Sequence, residues 1–212
     1  MAAGTANAAD GRGARTAAPM LRSVLVSLPA PLHRYPYAEY VALEEHSAVR
    51  HEFVAGEIYA MAGGTPEHAA IAASVLRLLG NLLPAGCRGY TSDLRVRIAA
   101  SDVTTYPDGA VICGKVLRSV DDALAATNPL ILIEVTSPST QAYDEGAKLG
   151  FYRLIPSVRE VIVVSHDRHR VVVHRREDDG SWSSHESGPG ADILVSCVGA
   201  RLTVDEIYRD VG

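Results

Sequence analysis

Two carboxylates and a lysine stand where they could do phosphodiester chemistry. Asp108 lies in Thr104-Thr105-Tyr106-Pro107-Asp108-Gly109-Ala110-Val111-Ile112-Cys113, and Glu134 lies in Pro129-Leu130-Ile131-Leu132-Ile133-Glu134-Val135-Thr136-Ser137-Pro138. Both segments are apolar and read as strands, and Lys148 follows on the next helical stretch. A carboxylate among core-forming residues is costly to bury unless something charged holds it. Two acids meeting at a sheet end, completed by backbone oxygen and water, make an oxygen-rich site suited to Mg²⁺, with Mn²⁺ as a substitute. Such an ion polarises a phosphoryl oxygen and orients the attacking water, while Lys148 adds positive charge opposite the transition state.

Other residues are weaker candidates. His68, in the first turn of its helix, could reach the site, and Glu57 could extend it from an upstream hairpin. Arg95 and Arg97 share one strand face and could hold phosphates. Each candidate also has an ordinary reading. Asp108 between proline and glycine suits a turn, Glu134 would be satisfied by an arginine, and Lys148 follows Asp144 by the four residues of a helical ion pair. An exposed strand glutamate, a solvated helix-start histidine and an outer arginine face would account for the rest. Ser137-Pro138-Ser139-Thr140 lacks the Gly-x-Ser-x-Gly elbow of a serine hydrolase, and no Gly-Lys-Ser/Thr phosphate loop occurs.

The elements that must position these residues are legible from periodicity. Tyr37 to Glu45 fits a short helix, and 51–61 fits two strands turning at Ala55-Gly56. Thr65-Pro66-Glu67 is a helix start, after which Ile71, Val75, Leu78, Leu79 and Leu82 recur at helical spacing to about Leu83. From Tyr90 to Ile98, Leu94, Val96 and Ile98 alternate with Asp93, Arg95 and Arg97, the pattern of a half-buried strand whose polar face looks into a cleft. The strands of Asp108 and Glu134 are separated by a polar, Ala-rich excursion over 114–128. A helix over 143–154 stopped by Pro156, a strand over 159–165, a hairpin of 170–175 with 182–186 and a short helix over 202–208 complete the order. The mixture suits an α/β fold, a mixed sheet flanked by helices.

Composition narrows the class. With 212 residues, 47% hydrophobic and 21% charged, the chain can bury one core, so one domain over 35–208 is expected, preceded by a disordered leader over 1–19. Cys87, Cys113 and Cys197 are odd in number and without metal-type spacing, which argues against a disulfide scaffold or structural zinc and for a cytoplasmic setting. No apolar run spans a bilayer, so no membrane partner is expected. The net charge of −5 counts modestly against a nonspecific DNA-coating role and leaves room for local basic patches. Of 20 basic residues only Lys115 and Lys148 are lysines, so lysine stands out at Lys148, although codon bias would also account for the scarcity.

Tyr106-Pro107-Asp108 followed by Ile133-Glu134-Val135-Thr136-Ser137-Pro138-Ser139-Thr140 resembles the Uma family of "putative restriction endonucleases", within the PD-(D/E)XK nuclease superfamily. The likeness extends over about 35–208 through Arg50-His51-Glu52 with Gly56-Glu57, Met61-Ala62-Gly63-Gly64 with Pro66-Glu67-His68, Ser92-Asp93-Leu94-Arg95-Val96-Arg97, Tyr143-Asp144 with Lys148, and Tyr152-Arg153 with Ile155-Pro156-Ser157. It implies a restriction-endonuclease-like αβββαβ core with extra β-hairpins at both ends, with Asp108 as the superfamily's first acid and Glu134 as its second. Thr136 stands where the superfamily's lysine would follow the second acid by two residues, so the cationic role passes to Lys148 or is lost. The expectation is a Mg²⁺-dependent DNA endonuclease, acting as a homodimer if it cuts both strands. The alternatives are an inactive nuclease fold that binds nucleic acid or regulates, and a purely structural partner protein.

Overall fold

The computed structural model describes residues 33–61, 63–136 and 144–211, all within a compact unit that begins at His33. The expected leader, Ser137 to Tyr143 and the side chain of Asp144 lie outside the described residues. Helix α1 (Tyr37–His46) leads into the hairpin β1 (His51–Val54) and β2 (Glu57–Ala60), which turns at Ala55-Gly56 with both residues at positive φ. Helix α2 (Pro66–Gly80) starts where its signals place it, with Pro66 in the first turn and the Thr65 hydroxyl accepting from the His68 amide at 3.3 Å.

The strands then divide between two sheets. β3 (Cys87–Thr91), β6 (Gly109–Cys113), β8 (Ile131–Thr136), β9 (Glu160–Ser165), β10 (Val171–Arg176) and β11 (Trp182–Ser187) form one in the order β11-β10-β9-β8-β6-β3. In it β8 and β9 run parallel and the other neighbours antiparallel. The second sheet is β2-β1-β5-β4-β7, using β4 (Arg95–Ile98), β5 (Val103–Thr105) and β7 (Ala125–Ala126). The hairpin β12 (Asp192–Val195) with β13 (Ala200–Thr203) stands apart and leads into α4 (Val204–Ile207), while a π-helical turn at Asp144–Lys148 runs into α3 (Leu149–Arg153).

β8 is buried along its whole length, which explains its unbroken apolar run. Ile131, Ile133 and Val135 pack beneath Ile71, Val75 and Leu79 of α2, whereas Leu132 packs on the other side with Leu149, Tyr152 and Ile155. Val96, Ile98 and Val103 of the second sheet close this second core.

Several expectations need correction. Tyr90 to Ile98 is not one strand, because the turn at 92–94 passes the chain from one sheet to the other. Thr104 to Cys113 is likewise broken at Tyr106-Pro107-Asp108, where proline has no N–H for a ladder. Part of the region read as a final helix is strand β13. The cysteines are not all reduced: Cys87 and Cys113 are direct partners in the β3–β6 register, 3.9 Å apart at Cα, and form a disulfide, with Cys197 free. Pairing across a sheet leaves no mark in sequence spacing. Among the described residues no helix is long and apolar enough to cross a membrane.

Candidate active site

The break at Tyr106-Pro107-Asp108 is what delivers the first acid. The chain leaves β5, crosses to the larger sheet and enters β6 at Gly109, opposite Ile133 of β8. A side chain at Gly109 would put its Cβ 3.2 Å from the Ile133 methyl, so the two strands run close. Asp108 sits immediately before this point. Its Oδ2 accepts a 2.8 Å hydrogen bond from the amide of Val135, the residue after Glu134, and lies 3.3 Å from His68 Nε2 at the start of α2.

Glu134 is 3% exposed, on the face of β8 opposite α2. The Lys148 ammonium lies 3.1 Å from both of its oxygens, and the Tyr152 hydroxyl donates to Oε1. Burial, and then the charge of Glu134, push the Tyr152 phenol well above its ordinary range, so it serves as a donor. Lys148 Nζ also lies 3.2 Å from Glu52 Oε1 of β1. That oxygen accepts from the Thr105 hydroxyl and, at 3.5 Å, from the Tyr106 amide. Thr136 ends β8 as a buried residue whose carbonyl accepts from the His166 amide at 3.0 Å.

The two acids therefore lie at neighbouring positions of adjacent strands, with His68 at one and Lys148 at the other. Glu57 is placed differently. It accepts from the Tyr59 hydroxyl on β2, and it is Glu52, not Glu57, that the hairpin brings to Lys148. Glu52 and Tyr152 are the residues sequence reasoning missed. The signals were a lone acid in an apolar hairpin strand, and a tyrosine four residues after Lys148, hence on its helix face.

Arg95 and Arg97 overturn the half-buried reading of their strand. Both are 6% exposed, since α1 covers the face expected to open into a cleft. Arg95 donates to Tyr106 and Asp122 at 2.7 Å and reaches Glu44 at 3.4 Å. Arg97 pairs with Asp102 at 2.7 Å and lies 3.7 Å over the ring of Tyr37. Arg95 is thus held in an internal network, whereas buried Arg97 keeps Nε and Nη1 without a hydrogen-bond partner among the described residues.

Among the described residues no group of three or more His, Cys, Asp or Glu side chains is arranged to hold a metal ion. Two hard carboxylates on adjacent strands suit Mg²⁺ or Mn²⁺ and not a thiophilic metal.

A mixed sheet with one acid at a strand mouth, a second on the neighbouring strand and a lysine from the following helix defines a restriction-endonuclease-like fold. A solved structure, that of a putative nuclease of the DUF820 group from Anabaena variabilis, has this fold, with a TM-score of 0.62 at 17% identity over 76% of this chain and 91% of that one. The chain belongs to the Uma2 family, described as "putative restriction endonuclease", which it matches over residues 37–205. It is also similar to two uncharacterised Synechocystis proteins, one 33% identical over 85% of this chain and 94% of the relative, the other 35% identical over 75% and 91%.

Proposed function

We propose that the protein is a divalent-metal-dependent endonuclease hydrolysing DNA phosphodiester bonds, with Asp108 and Glu134 as the metal-binding acids. The observation that carries the reading is the Lys148 ammonium 3.1 Å from Glu134, on the strand whose Val135 amide binds Asp108. A lysine on the helix thus stands in for the one absent at Thr136.

The bound ion would supply charge to polarise the phosphoryl group and bring water into line for attack. The chain's own residues would do the rest. Val135 N–H fixes Asp108, and Tyr152 and Lys148 orient Glu134, from which Lys148 would yield an oxygen to the ion. Once an oxygen of Glu134 passes to the ion, Lys148 would offset charge building on the scissile phosphate. His68, 3.3 Å from Asp108, would hold or pass a proton in the reaction. Glu57 lies outside this cluster and keeps at most an auxiliary role at its rim. One such site cuts one strand, so duplex cleavage would need a homodimer. A DNA substrate belongs to the same reading, whereas the cytoplasmic setting expected from unpaired cysteines loses that support with the Cys87–Cys113 bond.

Supercoiled plasmid tests it. Mg²⁺ or Mn²⁺ should produce nicked circles, and Asp108→Ala or Glu134→Ala should abolish them. The second reading, a catalytically inactive nucleic-acid-binding or regulatory module on the same fold, is favoured by the near-complete burial of Glu134 under Lys148 and Tyr152. DNA retention unaltered by either substitution, with no nicking at any metal concentration, would establish it instead.

A further inference from the structure

Lys148 is shared between the two sheets. Its side chain is 8% exposed, and its ammonium stands between Glu134 of β8, at 3.1 Å, and Glu52 of β1, at 3.2 Å. A buried cation is tolerated when carboxylates surround it, and stripping away one partner is costly. The metal-dependent reading assigns Glu134 two tasks at once, since an oxygen given to a dication is an oxygen withdrawn from Lys148. Glu52 has no such conflict. Its Oε1 is anchored by the Thr105 hydroxyl and the Tyr106 amide, in the segment that leads directly into Pro107-Asp108.

Resting on the metal-dependent reading, we propose that Glu52 is a positioning residue: the counter-ion that keeps Lys148 neutralised and in place, freeing Glu134 to bind a divalent cation. Glu52 does not touch the cation. It acts through Lys148, much as outer residues around a metal centre orient the groups that ligate it. Without Glu52 the ammonium loses one of its carboxylates and leans further on Glu134, so that cation and lysine compete for that group. The accessory hairpin is thereby part of the site, which spans both sheets.

Calorimetric titration of the full chain with Mn²⁺ tests this without relying on activity. The comparison uses wild type, Glu52→Gln, Lys148→Met and the double variant. Glu52→Gln should weaken Mn²⁺ binding about ten- to a hundred-fold, in the range of outer-shell changes elsewhere. In the Lys148→Met background the same change should leave affinity nearly unaltered, because no ammonium remains to be held, and Glu52→Asp, which keeps the charge, should recover part of the loss. An equal loss in both backgrounds would mean that Glu52 contributes only general negative charge, and wild-type affinity in Glu52→Gln would also overturn the proposal. Should Glu52→Gln not fold, Glu52→Asp takes its place, with a smaller loss expected that Lys148→Met again removes. A wild-type chain that takes up no Mn²⁺ defeats the metal-dependent reading itself, an outcome distinct from uptake that ignores Glu52.

Discussion

The Asp108 carboxylate accepts a hydrogen bond of 2.8 Å from the main-chain nitrogen of Val135, so the first acid is tied to the strand that carries the second. This bond separates two roles that alanine substitution would confuse. Asp108→Asn keeps an acceptor oxygen for Val135 and removes the charge. It should leave stability within about 0.5 kcal/mol of wild type, while Asp108→Ala should cost about 1–2 kcal/mol for the unsatisfied amide. Both should abolish nicking. Urea midpoints at unchanged slope provide the comparison, and equal destabilisation by Asn and Ala would show that charge, not the acceptor, joins the strands.

Tyr152 is fully buried and gives its hydroxyl to Glu134. Tyr152→Phe removes one oxygen and creates almost no cavity, so its effect isolates the hydrogen bond to a buried carboxylate. The expected cost is about 1.5–3 kcal/mol, the range for bonds to charged groups. A change below about 0.5 kcal/mol in urea denaturation would show that the Tyr152 hydroxyl is not needed to satisfy Glu134.

The local elements around this site were legible in the sequence. Thr65-Pro66 marks the start of α2, Ala55-Gly56 marks the first hairpin, and the run before Glu134 marks a strand buried on both faces. Asp108 and Glu134 stood out because a charge in an apolar run needs a reason, and Lys148 because it is one of only two lysines. What sequence could not supply was the division into two sheets. Alternation in 90–98 is the same whether the polar face meets water or a helix, and here α1 covers it, with Arg95 paired to buried Asp122 and Arg97 to half-exposed Asp102. Glu52 escaped notice because its partner lies 96 positions further along the chain, on an element that only the second sheet brings near. The Cys87–Cys113 bond was hidden in the same way, since strand register and not spacing sets it.

That disulfide closes a loop between residues 26 positions apart, from edge strand β3 to β6. The chain-entropy argument gives about 3.5 kcal/mol for a loop of this length. Reduction, or Cys87→Ser with Cys113→Ser, should therefore lower the thermal midpoint by several degrees. Mass spectrometry of the unreduced, alkylated protein should find one modified cysteine, Cys197. Three alkylated cysteines in protein purified without reductant would sink this expectation.

Alkaline stability draws on the buried tyrosines, among them Tyr106 and Tyr208. Burial, helped by the hydrogen bond to Glu44, raises Tyr106 from 10.0 to about 12, and burial raises Tyr208 from 10.0 to about 12. Between those values the folded chain keeps protons that the unfolded chain has lost, so their contribution is complete below pH 10 and disappears as the pH rises through about 12. Tyrosinate absorbance for these residues and the loss of ellipticity should rise together in that window. Tyr106→Phe should make the decline shallower. Titration of both phenols near pH 10 in a chain that remains folded would contradict this account.

Gly64 offers a way to move His68 without altering it. A Cβ at this position would lie 2.7 Å from His68 Nδ1, closer than such atoms approach, and the obstruction is a side chain able to turn away. Gly64 lies outside α2 at an exposed position, so Gly64→Ala should change stability by less than about 0.5 kcal/mol. The imidazole, however, would leave its place 3.3 Å from Asp108. If His68 passes a proton in the reaction, Gly64→Ala should reproduce most of the loss of nicking rate caused by His68→Ala, in the range of about 10²-fold or more. Mn²⁺ affinity should stay close to wild type in both, because Asp108 remains tied to Val135. Unchanged nicking in Gly64→Ala alongside a severe loss in His68→Ala would instead assign His68 a role that does not depend on this contact with Asp108.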